Sequence, residues 1–490
     1  MRGTHLQTTN SKSKKSLPKH SIFDVLYGFI PLTECEQKII NSPFFQRLRW
    51  IKQLGFSNYI FPGAEHNRFA HAIGVMHSMH QMIKALGIGV SDYDLFHSKS
   101  KSKEATLHKS LRIAALLHDI GTFPFSHAIE YAYIRHGNDN RRRQKPGKEL
   151  PNSHEHLGSF IIKNTFYKGG ISEILESYGL DIQMISKIIK GESPHLIANQ
   201  LMHSDLDADR MDYLIRDSHY TGIKYGQFDR EYILSNLETF SIGKSQLGFG
   251  IRESAIHAVE DFLISRFSWY SQVIKNQGSA KFDIMSSHIA QAFLQKDLIY
   301  QFHDLLEMIH NKDERFFWWN DIYFMNRCQE IRFNRLIKDS RIEELTEMLM
   351  YRHAPKTIRL PLFNHKILGT HNQSASFERD QIIKKITSIT NRLQSTLSKK
   401  GTGKEWILVD IPQKDVTFTA NFKSLIKKRK SDQLFAERDP IKVINKDGSF
   451  ELLIEKENSL MKILSGYTNF VPSLYANDSA VALLKKEKLI

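Results

Sequence analysis

Cysteine is nearly absent from this chain: Cys35 and Cys328 are the only two in 490 residues. That excludes a disulfide framework and favours a reducing compartment. Long apolar runs are missing as well. The longest, around Ala114 to Leu117, falls far short of the roughly 20 residues that span a bilayer. The N-terminus carries no signal-peptide pattern. Residues 1–20, rich in Ser, Lys and Thr, offer too little apolar surface to bury a core and read as a flexible basic tail. The expectation is a cytoplasmic protein without a membrane partner.

Acidic excess is lacking too, since 68 Lys and Arg against 53 Asp and Glu leave a formal net charge of +15. Part of that charge sits in two runs, Arg141-Arg-Arg-Gln-Lys145-Pro-Gly-Lys148 and Lys423-Ser-Leu-Ile-Lys427-Lys-Arg-Lys430. Solvated basic loops account for them, and so does a surface for polyphosphate or nucleic acid whose binding would weaken steeply with salt. Charge alone does not choose between the two.

What is present in quantity is core material, at 41% hydrophobic residues. A chain of this length exceeds what one core usually supports, so more than one lobe is expected. Helix-like apolar spacing dominates from Leu32 to about Leu345, with segments at His108 to Leu117, Glu155 to Asn164, Ser172 to Ser177, Gln183 to Ile189, Ile197 to Arg216, Arg230 to Leu237, Ala255 to Lys275 and Phe282 to Met308. Polar, loop-like insertions interrupt it at Val90 to Glu104 and Arg135 to Pro151. After about Pro355 the segments shorten. Trp406 to Ile411, Val416 to Phe418 and Phe450 to Ile454 read as strands near an Asp447-Gly448 turn, and Ser398 to Lys404 as a flexible hairpin or linker. The fold expected is mainly α, a helical core over residues 21–345 followed by a smaller α+β lobe over 346–490.

The chemistry concentrates in three places. Leu111-Arg-Ile-Ala-Ala-Leu-Leu-His118-Asp119-Ile-Gly121 is apolar on nearly every side, with Gly121 read as its C-terminal cap, so an adjacent His and Asp there must be paired or metal-bound. His71 follows Arg68 by three residues, one helical turn, where the guanidinium fork suits a phosphate. Asp209 lies in Asp207-Ala-Asp209-Arg210-Met-Asp212-Tyr213. Two imidazoles and two carboxylates make a nitrogen and oxygen set suited to a catalytic divalent cation.

The blocks Gln46 to Gly55, Phe61 to His71, His118 to His127 and Asp207 to Asp217 resemble, in order and content, the deoxynucleoside triphosphate triphosphohydrolases of the HD superfamily. The resemblance implies an HD-domain helical core and a metal held by His71, His118, Asp119 and Asp209, the ion being Mn, Mg, Fe, Ni or Zn. It implies a substrate site in which Arg68 takes the α-phosphate and Arg210 and Arg266 the outer phosphates. Gln53, Leu54, Tyr213 and Asp217 would form the deoxyribose pocket. His127 would be the general acid, Glu130 its charge partner and His154 a further active-site group.

A regulatory nucleotide near Asn41 and Arg49 and a homo-oligomer (dimer, tetramer or hexamer) are also implied. The chain departs from the family pattern at Thr122, where His is usual, at Asn41, where Asp is usual, and at Ile274-Lys275-Asn276-Gln277. Three readings follow: a dNTP triphosphohydrolase, an HD-type exonuclease on single-stranded nucleic acid held by the basic loops, and a nucleotide sensor with weak turnover.

Overall fold

Small polar residues start the helices that carry the chemistry. Asn67 accepts a hydrogen bond from the Ala70 amide and opens the helix Arg68–Ala85. Ser102 does the same for Lys103–Leu117, Ser153 for His154–Asn164 and Asp207 for Ala208–Thr221, which Gly222 closes at φ 74°. Each cap satisfies an amide that the first helical turn would leave orphaned. The computed structural model describes residues 19–97, 102–141, 152–243, 246–360, 367–368, 372–412, 416–419, 439–470 and 472–490. Nearly all of the basic tail and almost the whole of both basic runs lie outside them.

Helices from Arg68–Ala85 through Phe302–His310 pack around one large core that includes Met76, Met79, Leu116, Leu117, Leu201, Met211 and Leu263, all buried. Arg68–Ala85 lies between Lys103–Leu117 and Ala208–Thr221, so the three metal-site blocks meet at one helix. A smaller core forms behind residue 355. There the helix Asn372–Lys400 packs Ile382, Ile386, Leu393 and Leu397 against Leu474, Ala480 and Leu484. Its sheet places Ser473–Ala476 between Lys356–Thr357 and Ile407–Asp410, both antiparallel to it. The chain is therefore mainly α, with a helical core and a smaller strand-containing C-terminal part. Among the described residues no helix is long and apolar enough to cross a membrane.

Several expectations needed correction. The pattern read as one helix from Ile197 to Arg216 is two, Leu196–His203 and Ala208–Thr221. The break lets Asp207 cap the second helix. Phe282 to Met308 is likewise split, because Asp297 adopts φ 53° between Gln277–Gln295 and Phe302–His310. Leu237 is not helical: it begins the hairpin Leu237–Ile242 and Gln246–Arg252. Apolar runs of this kind look alike whether they bury as helix or strand.

The insertion at Val90 holds the short helix Asp92–Phe96, and the helix His127–Arg141 runs into the second insertion. The 29 residues of Asn372–Lys400 replace the short segments expected after Pro355, and their last turn takes in Ser398 to Lys400. Gly121 is not a cap either. Its helix ends at Leu117, and a Cβ at Gly121 would run into the His154 carbonyl and the Gly158 amide. The glycine allows close approach.

Candidate metal centre and substrate pocket

His71, His118 and Asp209 come from three helices, yet each offers a ligand atom within 4.8 Å of the other two. Hydrogen bonds on the far side of each ring aim it. His71 Nδ1 meets Asp212 Oδ2 at 2.8 Å, and His118 Nδ1 donates to the Ala115 carbonyl at 2.8 Å. Both Nε2 atoms then face Asp209 Oδ1, at 3.1 and 3.8 Å. The fourth expected ligand, Asp119, lies with Oδ2 3.4 Å from His118 Nε2 and 3.9 Å from His71 Nε2, and also pairs with Arg68.

Protonation marks the same point. Burial alone would depress His71, but Asp209 and Asp212 outweigh it and push the imidazole up to about 9. Burial would raise Asp119 and Asp209, yet Arg68, His118 and His71 hold Asp119 well below the carboxylate range, and His71 and His118 hold Asp209 below it. Anionic oxygens thus draw a proton into a buried imidazole, where a divalent cation would displace it. The donor set of nitrogen and carboxylate oxygen fits such an ion.

Asp212, given no role on sequence grounds, is wholly buried and fixes His71. It also receives Arg216 Nε at 2.9 Å and the Tyr27 hydroxyl at 2.9 Å. Its spacing, one turn after Asp209 on the same helix, was the available signal. A Cβ at Gly74 would collide with this pair, so the bare backbone there lets the two helices close.

Beside the metal centre lies a second cluster. Glu130, buried, accepts His127 Nδ1 on one oxygen at 2.7 Å and His154 Nδ1 on the other at 2.6 Å, together with the His154 amide at 2.7 Å. Burial would depress His154, but Glu130 and Glu155 push it up to about 9. The same imidazoles hold Glu130 well below its usual range against burial. His127 is more than half exposed. Both Glu130 oxygens are engaged, and the three side chains satisfy one another.

Of the residues expected to form a sugar pocket, Gln53 and Asp217 are linked through His66. The Gln53 amide donates to the His66 carbonyl, and His66 Nε2 meets Asp217 Oδ1 at 2.7 Å. His66 is buried, and stacks on Tyr220 with centroids 4.6 Å apart. No pattern in the sequence linked it to Asp217. Among the described residues Gln53 Oε1, His66 Nδ1, Asp217 Oδ2 and Arg210 Nε are buried without a hydrogen-bond partner. Tyr213 packs against Trp269 at a tilt of 33°, with centroids 4.7 Å apart, and Leu54 is buried.

Other expected contacts lie differently. Arg266 pairs with Asp205 at 2.9 Å and donates to the Phe418 carbonyl at 2.6 Å, turned toward the C-terminal part. Arg210 pairs with Asp207 and reaches the Ser204 carbonyl. Thr122, buried, keeps a free hydroxyl. Arg49 lies 3.6 Å over the Phe69 ring, and Asn41 is exposed at the end of Glu34–Asn41.

The family comparison places its boundary on these residues: the model described as HD domain matches residues 68–217, from Arg68 to Asp217. The chain carries an HD domain. Relatives include an uncharacterised protein of Methanocaldococcus jannaschii, 36% identical over 253 residues that make 51% of this chain and 45% of that one. Human deoxynucleoside triphosphate triphosphohydrolase SAMHD1 is 28% identical over 306 residues, covering 56% of this chain and 44% of that protein. The chain thus spans about half the length of these curated relatives.

A solved hypothetical protein from Aquifex aeolicus superposes with a TM-score of 0.62 at 25% identity, covering 95% of this chain and 99% of that one. HD domains are metal-dependent phosphohydrolases, and the cluster of His71, His118 and Asp209 is a candidate site for such a metal, its ion unspecified.

Proposed function

We propose that this HD-domain hydrolase cleaves deoxynucleoside triphosphates at the α-phosphorus, releasing deoxynucleoside and intact triphosphate. The observation that carries the reading is the set of unpartnered buried polar atoms on Gln53, His66, Asp217 and Arg210. Buried polar groups without partners are rare and call for a water, an ion or a ligand, and those on Gln53, Asp217 and Arg210 sit on residues matched to a nucleotide site. Gln53 is tied to Arg68 through its carbonyl and to Asp217 through His66, so a sugar could engage them if phosphates occupied the arginine. The likeness to human SAMHD1 supports the substrate class.

A bound divalent cation, held by His71, His118, Asp209 and Asp119, would supply Lewis acidity and acidify a water. The chain's own residues do the rest. Arg68 bonds Asp119 and, through Nε, the Ser126 hydroxyl at 2.9 Å, which fixes its fork beside the centre. Cationic His154 neutralises charge that gathers on the phosphate. A water oxygen bonds to phosphorus and gives up a proton to solvent, the bond to O5′ breaks, and O5′ takes a proton from His127, which solvent then reprotonates. Because Glu130 holds His127 at Nδ1, Nε2 is the nitrogen left to give this proton. Asp217 would accept the 3′-hydroxyl, and the aromatic floor of Tyr213 on Trp269 would crowd a 2′-hydroxyl.

We also propose Arg49 and Asn41 as contacts of an activating nucleotide and a homo-oligomer as the working assembly, with Arg210 and Arg266 engaging outer phosphates after leaving their present carboxylates. The chain would divide at about residue 345.

Purified protein incubated with each dNTP, singly and as a mixture, with Mn or Mg, should yield deoxynucleoside plus triphosphate by chromatography. Turnover only in the mixture would establish activation. No product from any dNTP, with single-stranded DNA degraded instead, would overturn the reading in favour of an exonuclease.

A further inference from the structure

The turn that delivers His127 is unusual in having two consecutive non-glycine residues in the left-handed region, Phe125 at φ 50° and Ser126 at φ 55°. Such a conformation persists only where its surroundings impose it. Phe125 is stacked on Phe56 with centroids 4.0 Å apart, which fixes the ring but not the peptide. The peptide is held from far along the chain. Asp321, the first residue of the helix Asp321–Phe333, accepts the Phe125 amide on Oδ1 at 2.6 Å and the Lys52 amide on Oδ2 at 2.9 Å.

Asp321 is not the cap of its own helix. Asn320 fills that role, accepting the Ile322 and Tyr323 amides. Its two oxygens are therefore free to serve two other loops, one each.

These loops bear directly on the site. Lys52 precedes Gln53, and its carbonyl receives the Ser126 hydroxyl at 2.7 Å. That hydroxyl in turn accepts Arg68 Nε at 2.9 Å. A second stitch runs alongside: Arg47, buried, donates to the Trp319 carbonyl at 3.0 Å and to the Thr122 carbonyl at 2.8 Å. The segment 319–321 thus grips the loop between Asp119 and His127 at two points.

We propose that Asp321 is a positioning residue for hydrolysis: its two carboxylate oxygens lock the left-handed 125–126 turn to the Lys52 peptide, so that His127, Arg68 and Gln53 face one substrate together. A single acceptor cannot do this, since the two amides come from different loops. An isolated buried carboxylate is unfavourable, and burial pushes Asp321 up to about 7, which only its two amides, Lys52 and Arg47 counter. The proposal rests on the functional reading given above for its activity readout, but not for its structural one.

The test uses the full chain and Asp321→Asn, which keeps the shape and removes one acceptor. Hydrogen exchange should quicken at the Phe125 and Lys52 amides while the helix Arg68–Ala85 stays protected. Turnover of dNTP per bound metal should fall in kcat by roughly 10- to 100-fold, the scale of a displaced catalytic group, with KM little changed. Leu484→Ala, in the smaller core, should destabilise the protein yet leave both constants as they are.

Ser126→Ala gives a second route should Asp321→Asn fail to fold. It too should lower kcat more than KM and quicken exchange at Phe125. Unchanged exchange at both amides overturns the lock. Changed exchange with wild-type kcat overturns its role in hydrolysis. Wild-type protein inert on every dNTP counts against the functional reading instead, and leaves the lock to be judged by exchange.

Discussion

Asp212→Asn should weaken the metal centre without touching a ligand. The native carboxylate receives His71 Nδ1 at 2.8 Å, Arg216 Nε at 2.9 Å and Nη2 at 3.0 Å, and the Tyr27 hydroxyl at 2.9 Å. An amide offers one acceptor oxygen and two N–H donors, so at least one of these donors would face another donor. Breaking a buried ion pair on one side costs about 3–5 kcal/mol. Arg216 keeps Asp24 at 2.9 Å, which places the loss at the lower end, about 3 kcal/mol. Removing the carboxylate behind a ligating His costs roughly 10- to 100-fold in metal affinity. Denaturant unfolding without metal reads the first, and calorimetric titration with Mn the second.

The sign of the pH effect is fixed by the same contacts. Burial would raise Asp212, but Arg216 and His71 hold it below the usual carboxylate range. Its contribution is therefore present above about pH 4 and is lost as the solution becomes more acidic. A variant that loses stability but binds metal with wild-type affinity would refute the claim that Asp212 aims His71. A variant with wild-type stability would refute the ion pair itself.

Asp209→Ala or His118→Ala should abolish turnover and bound metal together, measured by elemental analysis beside the dNTP assay, and chelation should mimic both reversibly. Gly121→Ala should destabilise by about 1–3 kcal/mol, the usual cost of overpacking, and depress turnover further, because its methyl group displaces His154; unchanged unfolding would contradict the close approach. The pair of His154 with Glu130 should stabilise most between about pH 4.5, where the free Glu130 carboxyl titrates, and pH 6.5, where free His154 does. With His154 raised, that gain is lost as pH rises through about 9. Glu130→Gln should therefore cost more at pH 6 than at pH 10 in thermal unfolding, and an equal cost at both would count against a charged pair.

The candidate metal blocks were legible because their signal is local: an apolar helix that runs straight into His118 and Asp119 is anomalous on its face, and Arg68 and His71 share a turn. Asp212 had a weaker signal of the same kind. His66 and Asp321 had none, since their partners lie 151 and 196 residues away in the chain. Helix limits failed where a single polar residue decided them. Ser204 to Asp207 looks like any helical stretch until Asp207 caps the next helix, and Leu237 fits a helix face as well as the strand it forms. The α-helical core was readable from its periodicity; the long helix Asn372–Lys400 was not, because its sparse apolar positions pack against separate segments around Ile358, Ile407 and Leu474.

One four-stranded sheet ties the two ends of this architecture together. Phe450–Leu452 and Lys442–Ile444 are antiparallel, and Lys442–Ile444 runs parallel to Gln246–Arg252, whose other neighbour is Leu237–Ile242. Gln200 also bonds Asp439 at 2.5 Å. Synthesis therefore delivers the helical region long before the strand that completes its sheet. Until residue 444 emerges, Gln246–Arg252 presents an open edge able to pair with another nascent chain. Closure over nearly two hundred residues is a slow, late event, so this open edge is a hazard that lasts until the C-terminal strand is made.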